Sequence, residues 1–269
     1  AFASKVAVYS PDDPTVSNAY IWVCDNGEGL DAGELKQLWK IGESLKRKDK
    51  DRDKKRLQIG QFGIGKLSTY ILARKLTYIS KKYERYILAT MDYNLINNDV
   101  NGIKIDEREI TEDEAKQIVN EYIKSELLNF ELFGEKASKT WTISLMTELK
   151  PKASEIKLGR LKWLLSTALP LNPGFELKFN GVEVESSKVK TPIMKKWIVG
   201  KEDQTLDKIG GAVSRVEKDA DGEDKYFVDL QNIHGINGEF ILYEDSLVEG
   251  KSSNLGRSHG IFLSIRGRL

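Results

Sequence analysis

Two glycine-rich clusters early in the chain hold the residues whose types and spacing best suit ligand chemistry. The first, residues 25–29 (DNGEG), follows an apolar run at residues 19–23 and opens with the carboxylate of Asp25. The second, residues 60–66 (GQFGIGK), leads directly into a segment of helical character at residues 67–74. A strand that ends in a carboxylate, followed by a glycine turn that opens a helix, predicts a nucleotide site.

Each part of this pattern has a physical reason to bind one part of a nucleotide. Glycine adopts backbone angles that are closed to other residues, and it lets a ligand approach the main chain closely. A helix that begins after such a turn points free N–H groups and its positive dipole end outward, which suits phosphate. A carboxylate accepts a hydrogen bond from an amino group such as that of adenine. We therefore expect Asp25 to hold the base and residues 60–66 to wrap the polyphosphate.

The ordered pair of clusters resembles the GHKL ATPases, the superfamily of gyrase B, the heat-shock chaperone, the histidine kinases and MutL, which also includes the MORC proteins. Residues 25–29 are similar to the DxGxG box of the superfamily, and residues 60–65 are similar to its GxxGxG box. The resemblance covers about residues 1–185 and is strongest toward the MORC and heat-shock-chaperone-like branches. Each box alone is a weak signal, whereas the ordered pair is a strong one.

The resemblance implies a set of residues that bind ATP together with Mg²⁺. Lys46 or Lys66 would reach the phosphates, and Thr140 or Thr142 stands where the superfamily often has a Gly-Thr pair whose hydroxyl contacts phosphate. The glycine of that pair is missing here, so the choice of threonine stays open. Arg266 or Arg268 is the candidate γ-phosphate sensor, with an ordinary surface arginine as the alternative. The predicted cofactor-binding residues are Asp25, Gly27, Gly29, Ser44, Lys46, Gly60, Gln61, Phe62, Gly63, Ile64, Gly65, Lys66, Thr140 and Thr142.

The catalytic pair of the superfamily is not found in this chain. In the superfamily a helix upstream of the DxGxG box carries a Glu that activates the attacking water and, four residues later, an Asn that binds magnesium. No Glu-x-x-x-Asn precedes Asp25 here, so the chain receives no catalytic glutamate and no metal ligand. We expect both residues to precede Ala1 in a longer protein, whose full length would hydrolyse ATP. The chain as given would bind ATP weakly and hydrolyse little.

Two other interpretations of the glycine clusters compete with this one. The spacing from Gly60 to Lys66 nearly matches a P-loop, but that motif requires Ser or Thr next, and Leu67 stands there. The clusters are also compatible with ordinary turn glycines after a strand. Neither alternative gives a role to Asp25 and the second cluster together.

The connector between the clusters is strongly basic. Residues 45–56 contain eight basic and three acidic side chains, a local charge of +5, and almost no apolar residue. Such a segment cannot pack into a core, so we expect either a solvated loop or a lid that orders when phosphates arrive. Direct contact of this segment with DNA is a third, weaker interpretation.

The composition bounds the class of protein. The 269 residues are 40% hydrophobic and 31% charged, which predicts a globular chain with a sizeable core. The net charge of +1 does not indicate nucleic acid, and neither a membrane span nor a signal peptide is visible. The single cysteine, Cys24, excludes an internal disulfide, fits a cytoplasmic location, and is expected to be a small buried packing residue.

The elements around the clusters predict an α/β fold. We expect a two-layer sandwich over residues 1–185, in which helices cover one face of a mixed, largely antiparallel sheet. A smaller α/β transducer-like domain, incomplete here, would occupy residues 186–269.

Local signals place the main elements of this fold. Hairpins are predicted for residues 5–23, for residues 175–184 around an Asn-Gly turn, and for residues 211–230. A capping box at residues 111–114 predicts a helix whose apolar stripe continues to Phe130, and Ser154 is predicted to cap a helix that ends at residue 169.

These expectations combine into one function with two alternatives. The chain would be an ATP-binding module in which nucleotide orders the lid and drives dimerisation of a clamp or chaperone-like machine. One alternative is a nucleotide-responsive dimerisation module without appreciable hydrolysis, and the other is a DNA-handling factor of the MutL or topoisomerase type. The expected partners are ATP or ADP, a second copy of the chain and an unidentified client.

Overall fold

The computed structural model describes residues 3–38, 67–95, 105–168, 176–185, 192–201, 209–218 and 222–244. These residues form two compact units. The first contains the described residues up to 185, and the second contains those from 192 to 244. Within the described residues, no helix is long and apolar enough to span a bilayer.

An eight-stranded sheet forms the frame of the first unit. Its strands follow the spatial order β5-β4-β3-β6-β2-β1-β7-β8. Every neighbouring pair is antiparallel except β1 and β7, which pair in parallel, so the predicted mixed and largely antiparallel sheet is confirmed. The strands are β1 Lys5–Tyr9, β2 Ile21–Asp25, β3 Ala73–Lys82, β4 Arg85–Asp92, β5 Ile105–Ile110, β6 Thr140–Leu149, β7 Glu176–Phe179 and β8 Val182–Glu183.

Four α-helices of the first unit are described, and three of them pack on one face of the sheet. Along each strand the side chains alternate between the two faces. Leu72 of α2 packs with Ile21 and Leu76, and Leu35 of α1 packs with strand residues of β4 on the same face. Side chains of α4 cover the β1–β7 end of that face. The helices are α1 Ala32–Leu38, α2 Leu67–Leu72, α3 Glu112–Tyr122 and α4 Leu158–Ala168.

The remaining helix, α3, lies on the opposite face. Its buried residues Ala115 and Val119 pack against Trp22, Ile79 and Trp141, which point away from α1, α2 and α4. The prediction placed all helices on one face, and the structure differs in this detail. The reason is that both faces of the central strands are apolar, so each face requires a cover.

The capping box of α3 forms as predicted. Thr111 Oγ1 accepts a hydrogen bond from Glu114 N at 3.2 Å, and Glu114 Oε2 accepts one from Thr111 N at 3.0 Å. The helix nevertheless ends at Tyr122, before the end of the predicted apolar stripe. Leu127 and Phe130 still pack against the same core, but they do so from chain outside the helix.

Two local predictions have different outcomes. The hairpin of β7 and β8 turns at Asn180 and Gly181, whose φ angles of 48° and 80° fit the left-handed turn that an Asn-Gly pair favours. Ser154, by contrast, does not cap a helix. It lies in a 3₁₀ turn over Pro151–Glu155 and donates to Pro151 O at 2.7 Å, and α4 begins only at Leu158.

The described part of the second unit consists of strands. A three-stranded antiparallel sheet has the order β10-β11-β12, and β9 pairs antiparallel with β13. The predicted hairpin of residues 211–230 is the pair β10 and β11. The helical component predicted for the second domain stays a prediction. The strands are β9 Ile193–Ile198, β10 Val213–Lys218, β11 Asp224–Leu230, β12 Ile233–Ile236 and β13 Glu239–Tyr243.

Candidate nucleotide site

Three polar residues from three adjacent strands form a row on the face that carries α1 and α2. Asp25 is the last residue of β2 and faces Thr142 on β6 across the sheet. Thr142 in turn faces Ser80 on β3. Directly opposed side chains of neighbouring strands point to the same face, with Cβ atoms about 5 Å apart. We call Asp25, Thr142 and Ser80 the polar row.

Apolar packing on the same face flanks the polar row on two sides. Leu72 of α2 packs on Ile21, four residues before Asp25 along β2. Leu35 of α1 packs on Ile87 and Ala89 of β4, next to the Ser80 end of the row. The ring of Tyr78 contacts both clusters. An acceptor-bearing row between apolar neighbours is the kind of surface that a flat heterocyclic base requires.

The turn after Asp25 is fixed by hydrogen bonds from the start of the chain and from Asp25 itself. Gly27 N donates to Asp25 Oδ1 at 2.8 Å, which closes a local Asx turn. Asn26 Oδ1 accepts from Ser4 N at 2.9 Å and from Lys5 N at 2.8 Å. The backbone of the DNGEG cluster is therefore tied to the beginning of β1.

Two hydroxyl groups from other strands hold the far side of the same turn. Thr140 Oγ1 of β6 donates to Gly27 O at 2.6 Å, and Leu30 N donates to Ser80 Oγ of β3 at 2.8 Å. The turn is thus fastened to β6 and β3 as well as to β1. Such support from surrounding residues is what keeps a binding group in a productive geometry.

Gly29 is the position in this turn where only glycine fits. Its φ is +68°, in the left-handed region, and a Cβ atom placed there would lie 2.3 Å from Lys81 O. A carbonyl oxygen of β3 cannot move away cheaply, because it belongs to the sheet. The second glycine of the cluster therefore allows the turn to pass against the backbone of β3.

Burial sets the acidity of the side chains next to Asp25. The Cys24 thiol is fully buried, and that burial, followed by the negative charge of Asp25, raises its pKa well above the usual range. The thiol stays protonated and unreactive, as expected for a packing residue. Burial also raises the pKa of Tyr78, and the charges of Tyr93 and Asp25 act in the same direction.

The described part of the predicted site is brought together at the polar row and its turn. Asp25, Gly27, Gly29, Thr140 and Thr142 all lie there. The two threonines differ, because the Thr140 hydroxyl donates to Gly27 O while Thr142 lies beside Asp25. Eleven other predicted residues lie outside the described residues: Ser44, Lys46, Gly60, Gln61, Phe62, Gly63, Ile64, Gly65, Lys66, Arg266 and Arg268.

Ser80 was not among the predicted site residues, although the structure places it in the polar row. It is fully buried, with 0% exposure. A signal was present in the alternation of β3, where Leu76, Tyr78 and Ser80 fall on one face and the serine interrupts an apolar series. A single inward-facing serine is too common in strands to be singled out by sequence.

Within the described residues, neither a cluster of metal-ligating side chains nor a large cavity coincides with the polar row. No three His, Cys, Asp or Glu side chains converge as metal ligands within the described residues, so none is assigned to Mg²⁺. A cavity of about 1040 Å³ lies on the opposite face, lined by residues such as Thr77, Leu145 and Tyr122. None of the residues of the polar row lines this cavity.

Part of this chain is similar to a known protein family and to a solved structure. Residues 1–124 match the family model described as histidine kinase-, DNA gyrase B-, and HSP90-like ATPase. No curated protein matches the chain. A crystal structure of the ATPase and transducer domains of DNA topoisomerase II from Balamuthia mandrillaris is similar, with 12% identity and a TM-score of 0.40.

That likeness covers 68% of this chain and 44% of the topoisomerase chain, less than half of its length. At this TM-score it carries no argument about function. The family match rests instead on the segment that includes Asp25 and both glycine clusters. The match over residues 1–124, a little under half of the chain, supports the resemblance of this segment to the GHKL ATPases.

Proposed function

We propose that this chain is an ATP-binding module in which Asp25 accepts a hydrogen bond from the amino group of adenine. The observation that carries the proposal is the polar row, which sets the carboxylate of Asp25 beside the hydroxyl of Thr142 at the end of a buried strand. An ionised carboxylate can only accept hydrogen bonds, and Asp25 Oδ1 accepts one from Gly27 N. The row therefore offers acceptors to a base that carries N–H donors.

The position of α2 supports the phosphate part of the proposal. This helix begins at Leu67, directly after the glycine cluster of residues 60–66, and Leu72 packs on the face that bears Asp25. The chain that precedes α2 is thus connected to the same face as the adenine site. Residues 60–66 would bind the polyphosphate through backbone N–H groups.

Magnesium belongs to this proposal as the companion of the phosphates. When bound, Mg²⁺ neutralises charge on the β- and γ-phosphates. The residues of this chain would bind the base, hold the glycine turn and exclude water from the buried end of β2. Hydrolysis by a full-length protein, through attack of water on the γ-phosphate, is part of the proposal as well.

The proposal extends to a cycle of dimerisation. ATP would order the basic connector, whose charge of +5 over residues 45–56 complements a polyphosphate, and two copies of the chain would then pair. Loss of the γ-phosphate would separate them. This is the behaviour expected of a clamp or chaperone-like machine.

Replacement of Asp25 by Asn tests the adenine assignment. The variant replaces a carboxylate, which only accepts hydrogen bonds, with an amide whose NH₂ group can face the amino group of adenine. Two donors would then oppose each other, so ATP affinity should fall by about 100-fold. Isothermal titration calorimetry would measure the affinity, and circular dichroism would show that the variant remains folded. The matched control is Asp92→Asn, since Asp92 ends β4 as Asp25 ends β2 but pairs with Lys75. Normal ATP binding by the Asp25 variant would show that the adenine assignment is wrong.

Sedimentation tests the dimerisation. In analytical ultracentrifugation the chain should sediment as a monomer alone and as a dimer with a non-hydrolysable ATP analogue and Mg²⁺. Asp25→Asn should remain monomeric at an analogue concentration that saturates the wild type, because its affinity for the nucleotide should be about 100-fold lower. A wild-type chain that binds the analogue and keeps its sedimentation coefficient would contradict the dimerisation but not the adenine site.

A further inference from the structure

Ser80 makes three hydrogen bonds, and all three reach groups around the proposed adenine position. Its Oγ atom lies 2.8 Å from Leu30 N, 3.0 Å from Trp141 O and 3.2 Å from Thr142 Oγ1. The side chain is completely buried, so water does not compete for these contacts. A buried hydroxyl of this kind has its proton direction set by its partners.

The directions of these three hydrogen bonds follow from the chemistry of the partners. A backbone N–H can only donate, so Leu30 donates to Ser80. A carbonyl oxygen can only accept, so Ser80 gives its single proton to Trp141 O. The remaining contact must then be donated by Thr142, whose own proton is directed at Ser80 Oγ. Thr142 Oγ1 is left with lone pairs for any further neighbour.

This arrangement makes the Asp25 end of the polar row a pair of acceptors. Asp25 presents carboxylate oxygens, and Thr142, which faces it across β2 and β6, presents hydroxyl lone pairs. An exocyclic amino group has two N–H donors and suits such a pair. A carbonyl at the same ring position would meet two acceptors and would be rejected.

We propose that Ser80 is a positioning residue that sets the base preference of the site, by holding the Thr142 hydroxyl as an acceptor. The site would thereby select 6-aminopurine nucleotides over 6-oxopurine nucleotides. This inference rests on the proposed function, because it concerns the same adenine position. Ser80 acts through Thr142 and does not itself touch the base.

A purely structural role of Ser80 has a different signature. Ser80 also accepts from Leu30 N, so its loss would loosen the glycine turn. That effect would weaken the binding of every purine triphosphate by the same factor, since they share ribose and phosphates. Only the control of the Thr142 proton changes the ratio of affinities for two nucleotides that differ at the 6-position.

The experiment compares ATP with inosine triphosphate, which has an oxo group in place of the 6-amino group. Calorimetry would give the Kd of both nucleotides for the full chain and for Ser80→Ala, Thr142→Val and the double variant. We expect the wild type to prefer ATP and Ser80→Ala to reduce that preference about tenfold, because the freed Thr142 hydroxyl can donate to the oxo group. Thr142→Val should also reduce it, and in that background Ser80→Ala should have no further effect on the ratio.

The matched control is Thr77→Ala. Thr77 lies on the same strand as Ser80, on the opposite face, and its hydroxyl bonds to Thr90 at 3.1 Å. This variant should keep the wild-type ratio of affinities.

Two outcomes would overturn the inference alone. In the first, Ser80→Ala weakens the binding of both nucleotides but leaves the ratio of their affinities unchanged. In the second, Ser80→Ala changes this ratio by the same factor in the wild type and in the Thr142→Val background. A wild type that binds neither nucleotide would overturn the proposed function and this inference with it.

Discussion

Three side chains hold the turn that follows Asp25, namely Asn26 of the turn itself, Thr140 of β6 and Ser80 of β3. Asn26 binds the backbone of Ser4 and Lys5, Thr140 binds Gly27 O, and Ser80 binds Leu30 N. Within the turn, Gly27 N donates to Asp25 Oδ1. The surrounding strands therefore help to set the geometry of this turn and the direction of the Asp25 side chain.

Gly29→Ala should destabilise the first unit more than an ordinary glycine substitution. The new Cβ atom would meet Lys81 O, in addition to the strain of a φ of +68°. We expect a loss of about 2–4 kcal/mol in the free energy of unfolding, measured by urea denaturation. Gly134→Ala is the control, because Gly134 also has a positive φ, +97°, but no atom within 4 Å of the added Cβ. Equal losses in the two variants would contradict the close approach at Gly29.

The elements differ in what holds them to the sheet. Helix α2 has six residues, too few for stability in isolation, and its end is anchored by Lys150. The backbone N of Lys150 donates to Leu72 O at 2.8 Å, and its ammonium group donates to Tyr70 O while lying over the Tyr70 ring, 3.6 Å from the centroid. Helix α3 is longer and begins with its own capping box. The short helix on the face of the polar row thus depends on tertiary contacts, and the longer helix on the other face depends partly on local ones.

Acid should release the cap of α3. A backbone hydrogen bond from Thr111, followed by the side chain of Arg108, lowers the pKa of Glu114. Hydrogen bonds from Lys116 and then Tyr86 lower the pKa of Glu112. A carboxylate whose folded pKa is depressed contributes stability above its unfolded pKa of about 4.3, and this stability is lost as the pH falls through the folded value. The Tm should therefore decline from about pH 5 downward.

Glu114→Gln isolates the contribution of the capping carboxylate. This variant should have a lower Tm than the wild type at pH 7 and a shallower decline in acid, as measured by differential scanning calorimetry. Glu109→Gln, at an exposed position of β5, is the control and should leave the slope unchanged. If the Tm of Glu114→Gln fell with decreasing pH as steeply as that of the wild type, protonation of Glu114 would not be a cause of the acid destabilisation.

At the scale of the whole molecule, the chain is divided into two units that each contain their own sheets. The eight strands of the first unit pair with one another, and the strands of the second unit form separate sheets of three and two strands. The polar row and its turn lie entirely in the first unit. Binding of nucleotide should therefore stabilise the first unit directly.

Hydrogen exchange measured by mass spectrometry tests this localisation. ATP should slow amide exchange in β2, β3 and β6, which carry the polar row, more than in β10, β11 and β12. In the Asp25→Asn variant, the same concentration of ATP should leave amide exchange unchanged in both sets of strands. Equal protection of both sets of strands would mean that ATP does not act first on the polar row.

The success of sequence-based prediction followed the range of the interactions involved. The Asn180-Gly181 hairpin and the Thr111 capping box were predicted, because their hydrogen bonds join residues a few positions apart. The start of α4 was predicted wrongly. Ser154 carries a capping side chain, but Pro151–Glu155 folds into a 3₁₀ turn in which that hydroxyl bonds Pro151 O instead. The face covered by α3 was missed for a different reason, since periodicity shows that a helix has an apolar side but not which sheet face receives it.

By itself the sequence indicated a resemblance to the GHKL ATPases, a largely antiparallel sheet and candidate roles for Asp25, Gly27 and Gly29, since these inferences depend on short motifs and local patterns of residue types. Only the tertiary structure decided that Thr142 lies beside Asp25, that Thr140 holds Gly27, and that Ser80 completes the row. These contacts join residues that are between 50 positions apart, for Leu30 and Ser80, and 117 positions apart, for Asp25 and Thr142. Strand order and register bring such residues together, and both are set by the packing of the whole sheet rather than by any local stretch of the chain.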